Sequence, residues 1–342
     1  MKALQFAKPG EILAIDIPEP NEPGPGEALV RTHRMGVCGT DIGGYLGTMP
    51  FFSYPRIPGH ELGLEVLAVG EGVTNVQVGD KCSLEPYLND PRTRTSAMGA
   101  TNCCPGVQVL GVHIDGGLRD RWICPAHKLH CGNDLSYEQL ALVETLAIGL
   151  HAVQRGTPMK GESVLVIGAG PIGLACLEFL KLMDVNTIAM DLDNSRLEFC
   201  RQHLNIQHTI QSQEDGSHLT ALEKCTDGQL ADLVIDATGS ARSMSTCFDF
   251  AAFTGRVVYV GITTGNITFP HAPVFHRREL TLLASRNALP GDFNSIIQWI
   301  AEGKVNTDPW ISQRLAFDDV PQRFQELTKA SNGTIKTIIE VS

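Results

Sequence analysis

The sequence predicts an α/β chain in two parts: a β-rich, barrel-like part, then a doubly wound part built on a parallel sheet. Three observations carry this. The chain has 342 residues, more than one ordinary domain holds. Over residues 1–150 short alternating apolar runs are separated by turns rich in Gly and Pro. From about Gly161 continuous apolar runs alternate with helical patterns.

Composition narrows the function. Hydrophobic residues at 43% and charged residues at 19% describe a folded globular chain rather than a disordered one. The net charge of -11 argues against nucleic acid as a partner, because phosphate binding needs a basic surface. It reads as an acidic solvated face. No apolar run reaches the roughly 18 residues of a membrane span. Ten cysteines spread over a chain without a leader-like N-terminus read as thiols or metal ligands, and a cytoplasmic setting is expected. Cys82, Cys176 and Cys200 sit among apolar neighbours and read as buried thiols; Cys38 alone has a context that suggests chemistry.

In chain order, Met1 to Phe6 reads as a first strand. Ala28-Leu29-Val30 and Glu65-Val66-Leu67-Ala68-Val69 follow, bounded by Pro23-Gly24-Pro25-Gly26, Gly70-Glu71-Gly72 and Gly79-Asp80. Residues 163–167 form a buried parallel strand, and a helical pattern runs on to Leu182. Further strands are expected at 187–190, 233–235, 256–260 and 280–283, with helices at 194–203 and 242–252 between them. A helix over 293–300 and a strand over 337–341 close the chain. The expected division is 1–150, completed by 290–342, against 151–289.

Gly168-Ala169-Gly170-Pro171-Ile172-Gly173 matches G-x-G-x-x-G directly after a strand and opens a helix. Gly168 makes the tight turn, Gly170 lets the backbone approach a pyrophosphate, and Gly173 lets helix and strand pack closely, while the helix start offers free N–H groups. Asp191 ends the next strand at about the 20-residue spacing of the group that binds the ribose hydroxyls. A carboxylate there repels a 2′-phosphate, which favours NAD over NADP; Arg196 nearby keeps NADP open. The strand ends carrying Thr238 and Val260-Gly261 are further candidates for the cofactor.

Cys38-Gly39-Thr40-Asp41 and Gly59-His60-Glu61 supply thiolate, imidazole and carboxylate, the ligand types zinc accepts. Each alone reads as a buried thiol, a satisfied histidine or a surface acid. Together, ahead of the glycine fingerprint, they resemble the zinc-dependent medium-chain alcohol and polyol dehydrogenases. The resemblance extends over Gly79-Asp80, the segment from Glu144 to Ala152 and Asp236-Ala237-Thr238-Gly239. It implies a GroES-like catalytic domain and a Rossmann domain for NAD. It also implies a catalytic zinc on Cys38 and His60, with Glu61 as third or exchanging ligand and Glu144 contacting the metal or its water. Thr40 would take the substrate proton and Asp41 would hold the His60 imidazole. A homodimer or homotetramer acting on a small-molecule alcohol is implied as well.

Three departures from the family pattern stand out: Gly43 in place of a proton-relaying histidine, Leu64 in place of a glycine, and Thr145 in place of a proline. The family's four-cysteine lobe, C-x2-C-x2-C-x7-C, aligns with Asp90, Thr93, Ser96 and Cys104, so only one thiol survives and no structural zinc is expected. Within the family the chain is most similar to the sugar-acid branch, the L-galactonate and L-gulonate 5-dehydrogenases. It shares with that branch Pro50-Phe51-Phe52-Ser53-Tyr54-Pro55, Asn102-Cys103-Cys104 and Phe275-His276-Arg277-Arg278-Glu279. Arg277, Arg278 or Arg286 is a candidate to clamp a substrate carboxylate, the alternative for each being a surface or interface ion pair. The rival readings are a neutral polyol dehydrogenase and a non-catalytic dinucleotide-binding regulator.

Overall fold

The computed structural model describes residues 1–329 and 333–342. Spatial proximity divides the chain into Met1–Thr145 with Ala288–Ser342, and Leu146–Asn287. The first unit centres on two long antiparallel strands, Glu27–Gly36 and Glu61–Val69. Ala28, Val30 and Thr32 alternate inward, the period-2 pattern of a strand with one buried face. Lys81–Leu84 and then Leu129–Cys131 extend the sheet on one side, and Lys336–Glu340 and Ile311–Ala316 on the other. Arg121–Pro125 pairs along the first half of Glu27–Gly36. The C-terminal strand therefore lies against the N-terminal sheet, with Ile338 opposite Gly36. Phe6, Met35, Leu62, Leu64 and Trp122 fill the core, each buried side chain contributing about 1.5–3 kcal/mol. Leu64, the bulky departure from the family glycine, is one of these core residues.

The second unit is a six-stranded parallel sheet. Its spatial order is His208–Gln211, Asn186–Asp191, Ser163–Ile167, Ala231–Asp236, Ala251–Tyr259, Thr281–Ala284. The reversal beside Ser163–Ile167 is the switch point at which doubly wound sheets bind ligands. The helix Pro171–Leu180 starts there, with Gly170 at its N-cap and Pro171 in its first turn.

The helix expected at 242–252 is shorter. It runs Ala241–Thr246, passes into a 3-10 turn at Cys247–Phe250, and Ala251 already begins a strand. The Arg278 guanidinium explains the stop. It donates to the carbonyls of Phe248, Asp249 and Ala251 at 3.3, 3.1 and 2.8 Å, oxygens that a continuing helix would use internally. The helix Tyr137–Gly156 carries no clear periodic signal, because Leu140 to Ala147 are all buried and the apolar surface runs around it. Among the described residues no helix is long and apolar enough to cross a membrane.

Candidate metal centre and dinucleotide site

The first constellation forms where Glu27–Gly36 ends. Cys38 caps the helix Gly39–Leu46, and its backbone N–H donates to Asp41 Oδ2 at 2.9 Å, which fixes the turn. Glu61 opens the neighbouring strand and His60 directly precedes it. One donor atom from each of Cys38, His60 and Glu61 lies within 4.8 Å of the others, and His60 and Glu61 are buried. Glu144 stands outside that trio: one of its oxygens accepts from the buried Tyr87 hydroxyl. Thr40 is half-buried in the first helical turn.

Two buried polar atoms here lack a hydrogen-bond partner, His60 Nδ1 and Asp41 Oδ1, and they face each other at 3.7 Å. Burial pushes the Asp41 carboxyl up against the pull of His60. Burial also pushes the His60 imidazole down, but the negative groups of Asp41 and Cys38 outweigh it and hold it well above its ordinary range. This is an imidazole surrounded by negative charge that calls for a cation. A thiol, an imidazole and a carboxylate converging in a buried place fit zinc by donor type.

Glu61 carries a further constraint, which the sequence reading missed. Lys336 Nζ, from the C-terminal strand, donates to both Glu61 oxygens at 2.7 Å, to Thr145 Oγ1 at 3.0 Å and to the Val37 carbonyl at 3.3 Å. Lys336 and Glu61 are both essentially inaccessible to solvent. Gly36 makes this possible, because a Cβ there would collide with the Glu61 carboxylate. Thr145, where the family has proline, supplies a hydroxyl to the same network. A lysine opening a strand that carries Ile338 and Ile339 was the available signal, but its partner lies 275 positions away.

The second constellation lies in the other unit. The Ala169 N–H donates to Asp191 Oδ2 at 2.6 Å and the Asp193 N–H to Asp191 Oδ1 at 2.8 Å, which aims that carboxylate at the mouth of the glycine turn. Arg196 Nη1 sits 3.9 Å from Asp191 Oδ2. A Cβ on Gly173 would strike the Gly168 carbonyl, so helix and strand meet as closely as the fingerprint requires. Pro171 and Ile172 form the first turn beside it. Thr238 is held by its amide and hydroxyl on Asp236 Oδ1, at 2.9 and 2.7 Å, and its methyl faces Gly168. Gly261 packs on Gly239, which brings the loop after Val260 to the same end of the sheet.

The lobe that aligns with the family's four cysteines also converges, through other chemistry. Cys104 Sγ accepts from the Asp90 N–H at 3.4 Å and lies 3.6 Å from Thr93 Oγ1, which in turn is 2.9 Å from Ser96 Oγ. Hydrogen bonds thus occupy the centre. The Thr93 hydroxyl and the Asp90 amide lower the Cys104 thiol below its ordinary range.

Comparison with known proteins matches two family models. One is described as an alcohol dehydrogenase GroES-like domain, over residues 24–134, the other as a zinc-binding dehydrogenase, over residues 171–302. The L-galactonate-5-dehydrogenase of Escherichia coli (strain K12) is 34% identical over 93% of this chain and 92% of its own length. The D-xylulose reductase of Saccharomyces cerevisiae is 27% identical over 99% of this chain and 97% of its own. A crystal structure from E. coli CFT073, described as a short chain alcohol dehydrogenase complexed with NADH, superimposes with a TM-score of 0.90. It is 26% identical and covers 99% of both chains.

Proposed function

Because the chain belongs to the zinc-type medium-chain alcohol dehydrogenase family, we propose that it oxidises a secondary alcohol of a sugar acid or polyol to the ketone, with NAD and one catalytic zinc per chain. The buried convergence of Cys38, His60 and Glu61 is the observation that carries this reading. When bound, zinc supplies Lewis-acid polarisation of the alcohol and NAD accepts the hydride.

The chain's own residues do the rest. Cys38 and His60 would hold the metal, with the Asp41 carboxylate 3.7 Å from His60 Nδ1 as the charge that orients the imidazole. Lys336 engages both oxygens of Glu61, so Glu61 would serve as an exchanging ligand and Cys38 and His60 as the lasting ones. Glu144, held by Tyr87, would contact the metal or its water. The Thr40 hydroxyl takes the substrate proton. Gly168, Gly170, Pro171, Ile172 and Gly173 receive the pyrophosphate, and Asp191 receives the ribose hydroxyls with Arg196 beside it. Thr238, Val260 and Gly261 line the approach to the nicotinamide.

Similarity to the L-galactonate enzyme supports a sugar acid, and similarity to the xylulose reductase supports a neutral polyol. Arg278 donates to backbone carbonyls, and Arg277, which is exposed, is the cation we assign to a substrate carboxylate. A panel of aldonates and neutral polyols, run with NAD on metal-quantified protein, separates the readings. Reduction of NAD by an aldonate supports the first, and turnover of neutral polyols alone supports the second. No turnover of either class leaves a binding regulator.

Asp191→Ser should raise KM for NAD about 10–100-fold, the loss of a charged hydrogen-bond acceptor worth about 1.5–3 kcal/mol, and narrow the preference over NADP. Steady-state kinetics with both cofactors check this, and an unchanged ratio contradicts it. Zinc analysis should give about one ion per chain, because a Thr–Ser–Cys hydrogen-bond cluster lacks the donors of a closed structural site. The triple variant D90C, T93C, S96C should raise the count to about two. We also place the chain in a homo-oligomer. The outer edge of Thr281–Ala284 ends the parallel sheet, and Leu282 and Phe253 are exposed, a combination that favours pairing with a second copy. Light scattering that reports only a monomer contradicts this. The cysteines, all free, fit a cytoplasmic setting.

A further inference from the structure

Lys81–Leu84 and Leu129–Cys131 pair antiparallel, with Cys82 directly opposite Cys131. The hydrogen bonds around them set the type of pairing. The Gly132 N–H donates to the Lys81 carbonyl and the Glu85 N–H to the Lys128 carbonyl, so the hydrogen-bonded positions fall on odd residues of the first strand. Cys82 and Cys131 therefore occupy a non-hydrogen-bonded site. At such sites opposed side chains come closest, with Cα atoms about 4.5 Å apart, inside the roughly 4.4–6.8 Å span of disulfides. Each thiol acts on the protonation of the other, as side chains set opposite one another do.

Access is asymmetric. Leu129–Cys131 is the edge strand of its sheet, and Cys131 is exposed, while Cys82 is fully buried. An oxidant thus reaches Cys131 first, and Cys82 is positioned behind it. Burial and the carboxylate of Asp80 both push the Cys131 thiol up, which makes its oxidation slow rather than immediate. Among the described residues no other strand register sets two cysteines opposite one another.

We propose that Cys82 and Cys131 are a redox modification site, closing a cross-strand disulfide when the chain meets a hydroperoxide. The Cys131 thiolate attacks a peroxide oxygen, the O–O bond breaks, and Cys131 becomes a sulfenic acid as one water leaves. The Cys82 sulfur then attacks the Cys131 sulfur. The S–S bond forms, the S–OH bond breaks, and hydroxide departs as a second water with the Cys82 proton. Two thiols lose two electrons and hydrogen peroxide is reduced to two waters.

The test treats the zinc-loaded full chain with hydrogen peroxide, with and without dimedone as a sulfenic-acid trap, followed by non-reducing peptide mapping. The expected result is a Cys82–Cys131 linked peptide in the wild type and little dimedone adduct on Cys131. In Cys82→Ser the link is lost and the adduct appears on Cys131, and in Cys131→Ser the Cys82 thiol stays reduced. The proposal is overturned if wild-type Cys131 accumulates the adduct or a sulfinic acid while Cys82 stays reduced. It is also overturned if Cys131 links to another chain, or if both thiols survive conditions that oxidise the exposed Cys103.

Discussion

Cys38→Ser should remove the zinc and the dehydrogenase activity together while leaving the fold intact. The fold survives because the cap of Gly39–Leu46 uses the backbone N–H of residue 38 and the Asp41 carboxylate, and serine is itself a preferred capping residue. The metal does not survive. A hydroxyl is a poor zinc ligand, and what remains is an imidazole and a carboxylate already engaged by Lys336. Lewis-acid polarisation is worth several kcal/mol, so kcat/KM should fall about a thousandfold or more. Zinc content by plasma emission, unfolding temperature and turnover measured on one preparation check this. A variant that keeps both its zinc and its rate places the metal elsewhere.

Lys336→Met should cost about 3–5 kcal/mol of stability, among the largest effects of any single change in the chain. Removing the ammonium leaves the Glu61 carboxylate buried and uncompensated, and breaking one side of a buried pair costs far more than removing both. The double variant Lys336→Met, Glu61→Gln should therefore recover most of the loss. Denaturant unfolding of metal-free protein isolates the pair from any rescue by zinc. The pH dependence follows the same contacts. Burial pushes the Glu61 carboxyl up, but Lys336 and His60 outweigh it and hold it below its ordinary 4.5. Burial pushes the Lys336 ammonium down, but Glu61 and Cys38 hold it above 10.5. The pair's contribution is thus complete between those two values. It is lost in acid as pH falls through the lowered Glu61 value and in base as pH rises through the raised Lys336 value. The double variant should show a flatter acid limb than the wild type. An additive double variant, no more stable than the single one, contradicts the coupling.

Much of this architecture is legible in local sequence. The parallel sheet announces itself at Ser163-Val164-Leu165-Val166-Ile167, where apolar continuity, a glycine turn and an acid one strand later agree. Cys38, His60 and Glu61 are legible as types, and the turn chemistry beside them says why they are exact neighbours of a helix start and a strand start. Lys336 is not legible, because its meaning lies in a contact made only when the last strand pairs with Glu27–Gly36. Tyr87 behaves the same way: nothing in its local sequence marks it, and only the fold aims its hydroxyl at Glu144. The overlong helix at 242–252 failed for a related reason, since a distant arginine takes the carbonyls that a helix needs. The arrangement at Cys104 sits between these cases. The alignment located the four positions, but a hydrogen-bonded cluster in place of a metal required coordinates.

Diffraction from zinc-replete crystals, collected on both sides of the zinc absorption edge, tests the central claim most directly. The anomalous difference map should hold one strong peak per chain, within bonding distance of Cys38 Sγ and a His60 ring nitrogen, and none in the lobe around Cys104. An empty map at Cys38 and His60, with or without a peak elsewhere, contradicts the account.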